Sequence, residues 1–429
     1  MSKVVSLAFV FLVFVQCAGI AHRSEYQYSV RAWADGDLKK ASEDLPRTEK
    51  KGFIATLEKA HIQFFLENKE YKDLENLVEK SKSRLRFSAR ESLKSFFYLE
   101  TEEGYYASEA EIIYMHILLG MYYVRAGDFE KGNVQARYAG NLLSGEWSAE
   151  GQFDDPNLRL LLAALWTSLG EWEEAKVDLR KILQLKPNNT YIKQLLNQPK
   201  PPKELFLVFG GPGAEPMMNP TVNLNLIRGL RNLDFAFKGN KSKLSISSSN
   251  EKPMDLHLES DTKTWYDRHI IRDNAMSELI EDSKYFQRVT GIALKEGTKS
   301  TARIGAALIV TTVISAVGAG VVYVGAEASS GDIAALGIAI IIVGLQTGGK
   351  MADEAIRDAE KNVKRNLDIS GTYRYVRYLP EYLWIGYSTK QELEEPKINL
   401  PNPEAPKILT KPQGKIKVRY GFVPDRQNK

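Results

Sequence analysis

Cysteine is almost absent from this chain: Cys17 is the single one in 429 residues. No intrachain disulfide can form, and no cysteine-based zinc site can be built. Histidine is nearly as scarce. His22, His61, His116, His257 and His269 are all there are, and none stands at a metal-ligand spacing such as HxxxH. An excess of one charge is missing too. Lys plus Arg is 58 against 54 for Asp plus Glu, a net +4, without the basic bias of a nucleic-acid binder. No Ser, His and Asp neighbourhood of a nucleophilic site stands out. The sequence therefore points to a non-enzymatic protein with no metal, no cofactor and no nucleic-acid partner. Hydrophobic residues at 43% and charged residues at 26% exclude a fully disordered chain, a collagen and a polytopic transporter. The length fits two to three domains.

What is present begins with an export signal. Lys3 precedes the uncharged run Val4–Val15, 12 residues long. That is too short for a bilayer-spanning helix, which needs about 20 residues, and suits a signal-peptide h-region. Residues 1–16 are read as that signal. The run leads into Gln16-Cys17-Ala18-Gly19, and Phe14 to Cys17 resembles a bacterial lipobox. It departs from the common form at Gln16, where Ala or Gly is usual. The resemblance implies lipidation at Cys17 and an envelope location, in the outer membrane facing the periplasm or the cell surface. An ordinary cleaved signal and an uncleaved anchor are the alternatives.

Residues 17–197 carry apolar residues at helical spacing and few prolines. Glu111–Leu143 and Asn157–Asn189 look alike, and both resemble tetratricopeptide repeats. In the first, Leu119, Gly120 and Tyr123 take the positions of the first helix. Gly127 makes the turn, Gly132 the close approach, and Ala136 and Ala139 the second helix. In the second, the corresponding residues are Leu162, Ala163, Trp166, Gly170, Ala175, Leu179 and Ile182, with Pro187 closing the unit. Weaker candidates lie upstream, around Gly36 and Ala41 and around Lys69 and Tyr71. Such hairpins stack and leave a concave surface that binds a peptide or helix. The expected fold is therefore mainly α: a tetratricopeptide-like array followed by a smaller α+β domain.

Residues 198–203 (QPKPPK) read as a Pro-rich linker, and 204–395 as the α+β domain. Leu205–Phe209 has the continuous apolar pattern of a buried strand. The glycines after it lack the GxGxxG spacing and the lysine of a phosphate loop, so they read as a turn. Asn240–Asn250 reads as a loop or hairpin, and Trp265–Val289 as a helix. On that helix Asp267, His269 and Asp273 are expected on a solvated face. Gly371–Ser388 suggests strands broken at Pro380, packing on Leu205–Phe209. The Pro-rich basic tail 396–429 holds eight Lys or Arg against two acidic residues, with a last strand in KIKVRYGFV.

Within that domain lie two uncharged runs, Ile304–Ala326 and Ile333–Gly349. Small residues recur at Ala316 and Gly320 and at Gly344 and Gly348, a spacing that lets helices approach closely. Three readings stay open for 304–349: a membrane-inserted hairpin, a hairpin buried in protein or by homo-oligomerisation, and β-strands. Gly344–Lys350 matches GxxxxGK, but Met351 stands where a P-loop needs Ser or Thr.

The order of lipobox, helices, the segment Glu103–Tyr106, the repeat with Gln135–Arg137, an apolar strand and Leu379-Pro380 resembles an uncharacterised family of tetratricopeptide-containing bacterial envelope lipoproteins. That resemblance implies a lipid-anchored scaffold for an envelope protein or peptide, with the membrane as second partner through Cys17 and, if it inserts, the hairpin. It brings no catalytic residues. The alternative function is a membrane-inserting, oligomeric or pore-like envelope protein.

Overall fold

A computed structural model describes residues 23–46, 52–90, 93–101, 105–145, 153–218, 233–249, 251–270 and 375–424. Cys17, the signal segment and the apolar hairpin with Ala316, Gly320, Gly344 and Gly348 lie outside the described residues.

The helical layer is built from hairpins. α1 (Arg23–Ala34) and α2 (Leu38–Glu43) turn at Gly36, and α3 (Phe53–Phe65) precedes α4 (Lys72–Ser81). α5 (Glu109–Ala126) pairs with α6 (Phe129–Ser144), α7 (Pro156–Leu169) with α8 (Trp172–Leu185), and α9 (Thr190–Leu196) closes the layer. Local chemistry fixes the ends. Ser108 and Glu111 form a capping box at the start of α5, which satisfies amides that the helix itself leaves open. Asp155 caps α7 ahead of Pro156. Gly127 ends α5 at φ +83 and Gly170 ends α7 at φ +84, a left-handed conformation that glycine adopts without a Cβ penalty.

Strands interrupt this layer where helix was expected. β1 (Leu85–Arg90) and β2 (Leu93–Glu100) form an antiparallel hairpin, with the short β3 (Tyr106–Ala107) beside β2. The stretch Phe96–Leu99 is rich in aromatic residues, which favour strands over helices.

The remaining strands are β4 (Glu204–Gly210), β5 (Glu215–Met218), β6 (Leu233–Ala236), β7 (Ser245–Ser248), β8 (Glu251–Asp255), β9 (His257–Asp261), β10 (Tyr382–Ser388), β11 (Lys397–Asn399), β12 (Ile408–Leu409) and β13 (Lys417–Val423). The principal sheet has five strands in the order β12-β13-β4-β10-β9. β4 runs parallel to β13 from Glu204↔Lys417 to Gly210↔Val423, and antiparallel to β10. β11, β7 and β8 make a three-stranded sheet, and β5 pairs with β6.

The pleat of β4 sorts its side chains between two cores. Leu205, Leu207 and Phe209 join the core shared with the helices, together with Leu383, Ile385, Val418, Tyr420 and Phe422. Phe206 and Val208 face the other way and join Trp384 of β10, Leu244, Ile246 of β7 and Ile398 of β11. Alternate residues of a strand point to opposite faces, so a continuous apolar run means burial on both. The result is three layers: helices, principal sheet, small sheet.

This corrects the expected architecture. The chain is a mixed α and β structure and not a mainly helical array followed by a small domain. Trp33 of α1 lies 3.9 Å, centroid to centroid, from Phe422 of β13. α7 packs on β13, β9 and β4, and α3 packs on β13. The apolar stripes of the hairpins are satisfied by the sheet as well as by one another. Two smaller expectations are also corrected. Residues 375–381 are irregular, so Tyr375 to Tyr378 form no strand before β10. His269 lies on a helical stretch but is 3% exposed and sits 3.8 Å from Glu111. It faces the N-terminal turn of α5 and not solvent.

Because helices and sheet share one core, deleting residues 405–429 should remove more than a tail. The expected outcome is loss of cooperative unfolding in the helical layer as well, with collapse of amide protection in α1, α3 and α7 by hydrogen exchange. A truncated protein whose helices keep wild-type protection would contradict a shared core.

Candidate functional site

The surface on which a helical array would dock a peptide is filled from within. Every residue of α7 from Asn157 to Leu169 is buried, as are Glu109 to Val124 of α5. The packing residues expected from sequence sit in this interior: Leu119, Tyr123, Ala136, Leu162, Ala163, Trp166, Ala175 and Leu179 are each at most 5% exposed. Gly120 and Gly132 are close-approach points. A Cβ at Gly120 would meet Leu165 at 2.6 Å, and one at Gly132 would meet Leu169 at 2.8 Å. Pro187 is exposed in the turn after α8. These residues come together as structure, and none opens onto a free groove.

The outer helices α6 and α8 keep a free side. Val134 is 59% exposed and Val177 is 42% exposed. Each stands five residues into its helix, and each is followed three residues later by an exposed arginine, Arg137 and Arg180. The two hairpins thus repeat one surface pattern outward while their inner faces are covered.

Buried ionisable groups cluster at the seam between helices and sheet. The Asp155 carboxylate accepts hydrogen bonds from the amides of Asn157 and Leu158 at 2.9 Å, from Trp265 Nε1 at 2.8 Å and from the Thr264 hydroxyl. Burial pushes its pKa up and these bonds pull it back. The buried Glu58 carboxylate accepts from the Arg377 amide at 2.8 Å, and the Arg377 guanidinium lies 3.7 Å from the Tyr26 ring. Arg419 of β13 donates to Glu204 of β4, which also accepts from the Leu393 amide. Arg159 of α7 donates to Asp178 of α8 at 2.7 Å, and burial lifts Asp178 to about 6. His61, bonded to the Tyr114 hydroxyl, is driven down to about 3 by burial, and His116, bonded to Gln135, down to about 4. Both are neutral at physiological pH. Their partners are structural, and no group of three His, Cys, Asp or Glu able to hold a metal ion occurs among the described residues.

The glycine turn after β4 has an occupant of its own. Gly211 (φ +88) and Gly213 (φ +93) leave room for residues 377–381: a Cβ at Gly211 would meet Glu381 at 2.8 Å, and one at Gly213 would meet the Arg377 carbonyl at 2.0 Å. The Gly239 amide donates to Glu381 Oε2 at 2.6 Å. An internal carboxylate therefore sits where a phosphate loop would hold its ligand. Burial raises Glu381 to about 7, against the pull of the Gly239, Lys238 and Gly213 amides, and the Glu215 carboxylate adds to the rise.

An open cleft of about 510 Å³ lies between α3 and the start of α4, lined by Thr56, Lys59, Gln63, Tyr71, Lys72 and Asp73 among others. Lys59 reaches Asp73 across it at 3.6 Å. Its lysines are matched by carboxylates, so it offers no field of one sign.

Sequence reasoning identified the hairpin turns and missed Glu58, Asp155 and Glu381. Asp155 was accessible in principle: Asp immediately before Pro is a helix-start signature. Glu58 and Glu381 find partners 319 and 142 residues away, and no local pattern encodes such pairs. No family model, curated protein or solved structure matches this chain.

The Glu381 environment has a measurable consequence. Its folded pKa of about 7 lies above the ordinary carboxylate value of 4.5. The stabilisation it brings is complete below about pH 4.5 and is lost as pH rises through 7. The full swing is roughly 3 kcal/mol at about 1.36 kcal/mol per pH unit of displacement. Burial of neutral His61 and His116 acts oppositely, lowering stability as pH falls below their unfolded value, so the readout is a difference. Glu381→Gln should flatten the stability profile between pH 5 and 8 relative to wild type, measured by urea unfolding. Parallel profiles for the two proteins would refute the assignment.

Proposed function

We propose that this protein is a lipid-anchored, non-enzymatic scaffold of the bacterial cell envelope. The single observation that carries the reading is Cys17: the lone cysteine of the chain stands at the end of a 12-residue apolar run with Lys3 before it. Two or more acyl chains on this residue hold a protein on a bilayer stably, since each buried CH₂ contributes about 0.8 kcal/mol. The resemblance to tetratricopeptide-containing envelope lipoproteins supports the same location.

The docking face is assigned to the outside of the helical layer, because the inside is covered by the sheet. Val134 with Arg137 on α6 and Val177 with Arg180 on α8 present apolar and cationic groups in the same order. Aliphatic contact flanked by arginine suits a partner protein segment with apolar and acidic residues.

A second reading, a membrane-inserting protein using 304–349, draws on one observation. The residues that flank the segment 271–374 lie together: the rings of His269 and Tyr375 are 6.3 Å apart, and the Val376 amide donates to Glu111 at 3.2 Å. The two described ends on either side of it are thus close in space.

Labelling with an alkyne fatty acid tests the anchor. Wild type should incorporate label, and Cys17→Ala should not. Label retained by Cys17→Ala would end the lipoprotein reading. Photo-crosslinking side chains placed at 134 and 177 should then trap the same partner from envelopes. Adducts at neither position would remove the docking face while leaving the anchor intact.

A further inference from the structure

Four of the arginines that this fold takes out of water are matched by carboxylates. Arg159 lies 2.7 Å from Asp154 and from Asp178, Arg377 3.6 Å from Glu58 and Arg419 2.5 Å from Glu204, and Arg268 pairs with Glu109. Arg125, in the last turn of α5, has no carboxylate within 4.0 Å among the described residues. Its guanidinium is nevertheless held between layers. Nη1 donates to the Phe64 carbonyl at 2.7 Å, Nε donates to Gln413 Oε1 at 3.1 Å, and the guanidinium carbon lies 3.9 Å from the centre of the Phe64 ring. Burial lowers its pKa, and the opposing pull of Tyr122, Glu67 and Tyr420 does not make up the loss. Glu67, the one carboxylate among these, is itself taken up by the Lys411 amide.

Three donors meet beside it. Arg125 Nη2, Gln413 Nε2 and the Tyr420 hydroxyl are buried and make no hydrogen bond among the described residues. Gln413 is 8% exposed and Tyr420 0%. Their convergence follows from the contacts around them. The Nε and Nη2 hydrogens of a guanidinium leave one edge of its rigid fork in parallel, so the edge that reaches Gln413 Oε1 carries Nη2 beside it. Gln413 Nε2 sits on the same carbon as that oxygen. Gln413 is fixed in turn, because its amide and its carbonyl both pair with Val418. Tyr420, two residues further along β13, turns into the core shared with the helices. Burial pushes its phenol up, and the neighbouring Arg125, Gln413 and Ser168 pull it back, yet none of them closes a hydrogen bond with it. Ser168 is committed elsewhere: its hydroxyl donates to the Leu165 carbonyl at 2.7 Å, and its own carbonyl accepts from the Lys415 amide at 2.8 Å.

We propose that Arg125, Gln413 and Tyr420 bind a small inorganic monovalent anion of the chloride class where the end of α5 meets β13 and the turn before it. The donor set selects this chemistry. A buried N–H or O–H without an acceptor is costly, and a buried charge without a counter-charge is costlier. Water has two lone pairs to offer and two hydrogens of its own to place. An anion accepts from all three donors and supplies the charge that Arg125 lacks. The donor atoms are all buried, which suits a monoatomic ion and not an organic acid. Bound there, the ion joins a helix end to the last strand, so the seating of β13 on the helical layer becomes coupled to the anion around the protein. The inference does not rest on the envelope reading.

The test is the thermal unfolding midpoint of the whole chain in sodium chloride against sodium gluconate at equal ionic strength, where screening of surface charges is the same. The midpoint should rise with chloride and not with gluconate. Above the dissociation constant, each tenfold increase in chloride should raise the folding constant about tenfold. Tyr420→Phe keeps the ring and removes one donor, so it should need roughly tenfold more chloride for the same rise. Gln413→Glu sets a carboxylate beside Arg125 and should make the midpoint independent of chloride, at a value no lower than that of wild type in gluconate. Equal midpoints of wild type in the two salts would overturn the proposal and leave the three donors to water. A chloride response that either variant leaves unchanged would put the ion elsewhere and overturn it as well.

Discussion

Burial of both faces of β4 is the constraint from which the architecture follows. A strand reading Leu-Phe-Leu-Val-Phe has no polar side to offer water, so it needs a partner layer on each face. The helices supply one and the β7–β8–β11 sheet the other. Its edges must be paired as well, and β13 and β10 do so along seven register pairs each. The ion pair of Arg419 with Glu204 then joins the beginnings of β13 and β4. Breaking such a pair by removing one partner leaves a buried charge uncompensated and is costly, so register and charge placement reinforce each other.

The same constraint lies behind the docking face proposed for the helical layer. Stacked helix hairpins generate a concave surface, and in this chain the sheet lies against it. The outward side, where the hairpins repeat an exposed valine and arginine, is the face the proposed docking uses. Shape complementarity to an extended peptide has been used up internally, and a flat helical face is left. Flat faces recognise through a few anchoring side chains and not through enclosure.

Much of the helical layer was legible in the sequence because its signals are local. Gly127 and Gly170 mark turns that need a left-handed residue, and Gly132 and Ala175 mark close helix contacts. Leu205–Phe209 announced a buried strand through its unbroken apolar run, and KIKVRYGFV a final one. What could not be read was the relation between these parts. Nothing in residues 204–210 reveals that their parallel neighbour lies some 213 positions later, at Lys417 to Val423. The helical repeats were therefore expected to stand alone with a groove, when their apolar stripes were wide enough to cover a sheet as well. The strands 85–100 went unread because apolar residues there matched a helical window as easily as a strand. The candidate site was least legible of all. Glu58, Glu381 and His269 are ordinary polar residues until the fold brings a distant amide, glycine turn or carboxylate to them.

The parallel pairing of β13 with β4 also sets a timetable. The strand that completes the principal sheet comes from the last residues of the chain, and it touches Trp33 near the first. Contacts spanning nearly the whole sequence make folding slow, since loop closure must precede their reward. A polypeptide emerging end-first cannot form its central core until the C-terminal segment has appeared. Until then the apolar faces of α3 and α7 lack their cover, the condition in which chains aggregate or are held by chaperones. Under the envelope location we propose, a core that closes only with the last strand would keep the chain unfolded for as long as passage across a membrane takes.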